Sequence, residues 1–452
     1  LIFYRVIYSA AGYLYFSPKL LVMSGNFIAI KILSLLISCL FIPAFSSFAQ
    51  DFSSVDYAAT NVKSISYEKK GSRLEYPFIQ ISTDEEMTLH FDVIDGDGGT
   101  LWYGITHCDR DWKRSDLFTS DYLEGYAENQ ITEYLHSFNT RVNYTHYSLK
   151  LPNEDIKFLV SGNYVVTVWA PGEPDSPLLT RRFFVSEGSS SAQVLFRRPM
   201  KPGTTETHQQ AEITVSTGRL PITDPYRQVT LTIMQNGRWD RANTNLRPDF
   251  VGGGRLEFNS LSDNTLMPGG NEFRFFDIKT IRQVRQNVRS IEFVDGLYQV
   301  FLLPSEEREF KPWFVNDDLN GKYIVAMEES NDPDREADYV MVYFTLPSYN
   351  ELQGGSVYVT GSFTDWSYGP ANRMTWSAAR GSYEASMLLK QGWYNYEYAF
   401  VPSGKAYPEG AHFEGSHWQA ENDYLILTYF RDPAKRYDRL TGVTLANTRA
   451  TR

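Results

Sequence analysis

The chain has 452 residues, 15% of them aromatic, and a formal net charge of −11. That acidity excludes a nucleic-acid partner, which needs a basic footprint, and the length admits two to four domains at about 100–200 residues each. With 30 Tyr and 29 Phe in short alternating apolar runs, the composition favours strands, because aromatic side chains fit a half-buried pleated surface.

Residues 1–49 read as an upstream extension and a signal peptide. Lys31 leads into the apolar run Ile32 to Phe45, and Ser47-Phe48-Ala49 supplies the small residues before a cut, placing cleavage between Ala49 and Gln50. Met23 is the plausible start. A membrane anchor over Phe27 to Phe45 and a lipidated Cys39 compete with this reading. The anchor has the length, about 20 residues, but Pro43 and the ending at Ala49 favour cleavage, and the apolar run continues past Cys39. After cleavage Cys108 is the single cysteine, so no intrachain disulfide forms, and a lone exported thiol is expected to be buried.

Three tandem immunoglobulin-like β-sandwich domains are expected, an all-β chain. In the first, residues 50–187, Leu74 to Ile81, Met87 to Ile94, Leu101 to His107, Tyr144 to Leu151, Tyr164 to Trp169 and Thr180 to Val185 read as strands. The run Asp95 to Gly99 suits a hairpin turn better than a calcium loop, since no acidic residue follows at ligand spacing. Gly188 to Ser191 is the first linker. The second domain, residues 192–346, carries strands at Glu212 to Val215, Val229 to Met234, Arg255 to Phe258, Asn271 to Ile278, Val288 to Phe293, Gln299 to Leu303 and Asp338 to Phe344, with a hairpin signal at Asn236-Gly237. Pro347 to Gly355 reads as the second linker, opening the third domain, residues 347–452. There Tyr394, Tyr396 and Tyr398 share one strand face, and Phe363-Thr364-Asp365-Trp366 resembles the corner of immunoglobulin-like glycogen- and starch-binding modules.

No catalytic constellation stands out. His107, Cys108, Asp109 and Asp111 could suggest a metal, but on a strand Cys108 points away from His107 and Asp109, and zinc wants three or four converging ligands. Gly-x-Ser-x-Gly is absent, and Val251-Gly252-Gly253-Gly254-Arg255 lacks the Lys-Ser/Thr ending of a phosphate loop. Catalytic residues, cofactor and metal are therefore all expected to be absent, and the function to be binding. Trp366 and Trp418 are the candidates for stacking on a glycan, which is the alternative function.

The connection between Cys108 and Ser161 is unusually long for a compact domain, and too aromatic for a disordered one. Its candidates for a partner interface are Trp112, Tyr122, Tyr126, Asn129, Tyr134, Phe138, Asn139 and Tyr144, residue types that suit a polar, reversible contact. Asparagine amides can equally tie irregular backbone.

This stretch also carries a family likeness. His107-Cys108-Asp109-x-Asp111-Trp112, Tyr122-Leu123-Glu124-Gly125, Ser137-Phe138-Asn139-Thr140, Tyr144-Thr145-His146-Tyr147, Leu151-Pro152-Asn153 and Ser161-Gly162-Asn163-Tyr164 resemble the type IX secretion system plug proteins of Bacteroidota. Pro268 to Asp277 and Arg436 to Leu440 extend the likeness over nearly the whole mature chain. The resemblance implies a non-enzymatic periplasmic protein peripheral to the outer membrane. Such a protein closes the periplasmic opening of the translocon barrel when no substrate is present. Its partner would be that barrel protein, its membrane association would run through the partner alone, and its oligomeric state would be monomeric.

Overall fold

The computed structural model describes residues 56–94, 98–259 and 263–449. The expected cleavage at Ala49 and Gln50 and the Asp95–Asp97 part of the expected turn lie outside them. The described chain is all-β, built as three double-sheet units with separate hydrophobic cores.

In the first sandwich one sheet runs Tyr57–Ala58, Pro177–Ser186, Gly162–Trp169, Leu101–Cys108, Glu128–Ile131, with Phe78–Gln80 added parallel to Pro177–Ser186. The facing sheet runs Val62–Glu68, Met87–Ile94, Tyr144–Leu151, Tyr134–His136. Alternation fixes which side chains enter the core. Leu89, Phe91 and Val93 of one sheet meet Tyr164, Val166 and Val168 of the other.

The second sandwich departs from the expected order. Its first sheet uses Ser191–Arg197, His208–Ser216, Arg255–Phe258, Phe250–Gly252 and Leu266–Pro268, but its second pairs Asn243–Leu246 and Val229–Gln235 with Asp423–Arg431 and Asp438–Asn447 from the end of the chain. The third sandwich is inserted between these halves. One sheet holds Arg274–Asp277, Gly392–Pro402, Tyr323–Val325 and Gly355–Thr360; the other holds Val288–Val294, Leu297–Leu302, Tyr339–Pro347, Ser382–Lys390 and Thr375–Ser377.

The boundaries at residues 346 and 347 are thereby corrected. Tyr339–Pro347 pairs along its whole length with Ser382–Lys390, so the presumed linker after it only carries the chain to the opposite sheet of the same sandwich. The first linker is likewise no free tether, because Ser189 and Ser190 bond to Thr441. At Asn236-Gly237 the expected tight turn forms, with φ of 54° and 69° and the Arg238 N–H on Gln235 O at 3.1 Å. Val229–Gln235 and Asn243–Leu246, however, pair across the longer loop 236–242 rather than a two-residue hairpin.

The outer faces of the first sandwich are covered as well. Val165, Cys108 and Phe184 on one sheet pack against Met234, Leu425, Leu427 and Leu440 of the second sandwich. Ile94 and Tyr144 on the other sheet meet Tyr339 of the third. Burying each large apolar side chain in such a joint contributes about 1.5–3 kcal/mol, and this double coverage explains why Met87–Ile94 is buried nearly end to end.

Candidate functional site

The connection after Cys108 begins with a tight turn rather than a surface loop. Asp109 Oδ1 accepts from the backbone N–H of Asp111 and of Lys113, both at 2.9 Å. This holds Trp112 at φ 64°, a backbone region that bulky residues seldom enter. The strained backbone aims the indole into the joint with the second sandwich, against Trp239 and Phe184, with the Arg182 guanidinium 5.3 Å from its ring. Asn163 continues the tie, donating to Asp109 O at 3.1 Å and accepting from Tyr429 OH at 2.7 Å. Cys108 lies buried and free in the same joint. Burial, reinforced by Asp109, pushes its thiol up to about 12, so it stays unreactive. His107 is buried too, bonded to Ser115 Oγ and Ser161 O, and burial pulls its pKa down to about 4.

Several expected interface residues are therefore internal. Trp112 belongs to the joint just described. Tyr122 is in the first core and donates to Ile105 O at 3.0 Å. Tyr144 donates to Ala337 O at 2.9 Å and packs edge-on against Tyr339 of the third sandwich. Asn129 is buried and its amide closes its own loop on Tyr126 O, while Tyr134 is half-buried against Tyr147. Trp112, Tyr122, Asn129 and Tyr144 are corrected from partner contacts to internal ones, and Tyr134 to a partly covered one, because the strands of the connection fold back onto the sheets that flank them.

What remains outside is a smaller set. Tyr126 is 79% exposed and Phe138 51%, joined by two residues that the sequence reading passed over, Phe118 at 71% and Leu135 at 50%. Asn139 is exposed beside Phe138 in a turn at φ 59°. The backbone beneath these side chains is pinned. Phe118 N–H donates to Asp121, whose carboxylate also meets Arg436 at 3.1 Å, and Phe138 N–H donates to Arg335 O at 2.8 Å. Exposed aromatic rings on ordered backbone can bind a partner without first losing loop entropy.

The two glycan candidates are placed differently from that expectation. Trp366 is only 8% exposed, and Arg238, itself ion-paired to Asp240 and Glu397, lies 4.1 Å from its ring centroid. A Cβ added at Gly321 would strike the same indole. That ring is a buried brace, not a free stacking platform. Trp418 is partly buried under the Arg198 guanidinium at 5.4 Å.

Where the three sandwiches meet lies a cavity of about 440 Å³, lined by Tyr76, Arg181, Trp239, Lys322 and Trp366 among others. Its cations are already engaged, Arg181 with Asp365 at 2.5 Å, Arg182 with Asp56 at 2.5 Å, and Lys322 on Leu74 O at 2.6 Å.

Residues 62–187, the sandwich that bears these exposed side chains, match the family model of the type 9 secretion system plug protein 1st domain. The chain belongs to the type IX secretion plug family. The crystal structure of a hypothetical protein from Parabacteroides merdae ATCC 43184 is similar to this plug-family chain throughout, with a TM-score of 0.83 and 31% identity over 87% of this chain and 98% of that one. No curated protein matches the chain.

Proposed function

We propose that the chain closes the periplasmic opening of the outer-membrane type IX translocon barrel while no export substrate occupies it. The family membership supports this reading. The observation that carries it is the set of exposed apolar side chains Phe118, Tyr126, Leu135 and Phe138 on ordered backbone within the matched domain. Occlusion needs shape and a contact that can be undone. Separate aromatic anchors with polar neighbours provide that, whereas a broad apolar patch would hold permanently. The protein acts as a periplasmic monomer, meeting the membrane through its barrel partner and working by contact rather than by chemistry.

The experiment is co-purification of the barrel from native outer membranes with Phe118→Ala and Tyr126→Ala, singly and together. Aromatic hot spots at an interface cost about 2 kcal/mol or more when truncated, so the double variant should bind the barrel at least about tenfold more weakly and co-purify visibly less of it. Its melting temperature should stay unchanged, since both rings are outside the cores. Full retention of the barrel by the double variant overturns the assignment of this surface.

A further inference from the structure

A second cluster lies at the other joint of the first sandwich, where it faces the third. His90 on Met87–Ile94 and His146 on Tyr144–Leu151 are diagonal neighbours across the pairing of those strands, His90 standing opposite Ser148 and His146 opposite Asp92. His90 Nδ1 and His146 Nε2 are 3.1 Å apart. Each outer nitrogen faces a carboxylate. His146 Nδ1 is 2.6 Å from Asp92 Oδ1, and His90 Nε2 is 3.5 Å from Glu68 Oε2, too long for a hydrogen bond. Asp334, from the short helix Pro333–Glu336 of the third sandwich, places Oδ2 3.6 Å from His146 Nε2.

This arrangement is unsatisfied in either neutral tautomer of His90. The short bond to Asp92 puts the His146 proton on Nδ1, so His146 Nε2 presents a lone pair. With its proton on Nε2, toward Glu68, His90 turns a second lone pair on Nδ1 toward that of His146 at 3.1 Å. With its proton on Nδ1, it donates to His146 Nε2 at 3.1 Å but leaves Nε2 as a bare acceptor in a buried position beside an acidic oxygen. Ser148 Oγ, 3.2 Å from His90 Nδ1, supplies one hydrogen bond but no positive charge. A cation between the inner nitrogens resolves the conflict.

We propose that His90 Nδ1, His146 Nε2 and Asp334 Oδ2 bind a divalent transition metal of the zinc class. The three ligand atoms lie within 4.8 Å of one another. Metal–nitrogen bonds of about 2.0–2.1 Å in a tetrahedron put ligand atoms about 3.3 Å apart, close to the 3.1 Å between the two histidine nitrogens and the 3.6 Å from His146 Nε2 to Asp334 Oδ2. Two imidazoles and a carboxylate suit that class of ion. Asp92 behind His146 is the carboxylate–histidine support such sites use to fix the tautomer. Asp92, Asp334 and Glu68 outweigh Arg73 and Lys390 by one negative charge, so a dication can be accommodated although Arg73 bonds both oxygens of Asp334 at 2.7 Å. Each of those oxygens keeps a lone pair for a second partner. The ligand atoms come from two sandwiches, so the ion would clamp the matched domain to the inserted one. No local motif marks this site, because its residues lie on three separate segments of the chain.

The test uses the untagged full mature chain stripped with EDTA. Calorimetric titration with Zn²⁺ alone should show one ion per chain at about micromolar affinity or better, and Co²⁺ should give the visible absorption of a four-coordinate nitrogen–oxygen site. His146→Ala, His90→Gln and Asp334→Asn should each weaken binding at least about tenfold, while His412→Ala, at an exposed histidine, leaves it unchanged. Asp334 is on the partly exposed helix, so Asp334→Asn keeps the test valid even where a histidine variant fails to fold. Absence of binding up to about millimolar metal, or undiminished binding in the variants that fold, overturns the proposal.

Discussion

The joint between the first and third sandwiches contains a buried ion pair between residues far apart in the chain. Asp92 and Lys390 are 0% and 1% exposed, and Lys390 Nζ lies 2.6 Å from Asp92 Oδ2. Asp92 also accepts from Tyr339 OH at 2.7 Å and from His146 at 2.6 Å, while the Lys390 ammonium donates to Asp334 O and sits 4.0 Å from the Tyr144 ring centroid. Asp92→Asn keeps the shape but leaves the ammonium buried without its counter-charge. Removing one partner of a buried pair costs about 3–5 kcal/mol; because Asn still offers an acceptor, the lower end, about 3 kcal/mol, is expected here. Lys390→Met strands the carboxylate, though Tyr339 and His146 still bond to it, and should cost a similar amount. The double variant removes both charges and should be less destabilised than the two singles summed, by about 2 kcal/mol. Urea unfolding followed by tryptophan fluorescence measures all three. Against the cost of burial, Lys390 and His146 hold the Asp92 carboxyl below its ordinary range. The pair's contribution is therefore complete above the ordinary carboxylate pKa and is lost as pH falls through the folded one. Single variants within about 1 kcal/mol of the parent, and additive in the double, would refute this account of the joint.

Two further predictions follow from buried groups. Burial, with Asp318 nearby, raises the Glu272 carboxyl from 4.5 to about 7, a shift equivalent to about 3 kcal/mol. The penalty is absent at pH 4, grows as pH rises through the unfolded pKa, and is complete above the folded one. Glu272→Gln, which keeps an acceptor for Trp313 Nε1 and Glu421 N–H, should thus stabilise the chain by up to about 3 kcal/mol at pH 8 and leave it unchanged at pH 4 in urea titrations; equal effects at both pH values would contradict it. Cys108 should resist a polar maleimide in the native state and react as fast as a free thiol in urea, and rapid native labelling would show that the joint with the second sandwich opens.

Much of the fold was legible where alternation is a local property. Met87–Ile94, Tyr144–Leu151 and Arg255–Phe258 have the bounds that their patterns imply. The expected strand Leu74 to Ile81 shrinks to Phe78–Gln80, because Pro77 has no N–H to give a ladder and Leu74 O is taken by Lys322 from another sandwich. Asp438–Asn447 was not foreseen; its pattern is weak, and pairing with Asp423–Arg431 holds it in place. The interleaving of the second and third sandwiches has no local signature at all, since Val229–Gln235 finds its partner nearly two hundred residues on. For the proposed interface, composition marked an aromatic segment but could not sort its exposed side chains from its buried ones. Tyr126 and Tyr144 are the same residue type on the same connection, and only the presence of Tyr339 over one of them decides which is buried.

The insertion has a mechanical consequence for a plug. The third sandwich enters and leaves through the second, at Pro268 and Asp423, so two chain crossings tie them where tandem domains would have one. The first sandwich is held by both, through the Cys108–Leu427 joint on one sheet and the Asp92–Lys390 pair on the other. Hinge motion between domains normally relies on interfaces that are small and polar, yet one of these joints is an apolar cluster and the other a pair of desolvated charges, each costly to break. Displacing the plug by bending it would thus cost several kcal/mol per joint. Withdrawing it whole would cost only the proposed contact with the barrel, which we assign to individual exposed side chains rather than to a continuous apolar face. Release as a rigid body is the cheaper route.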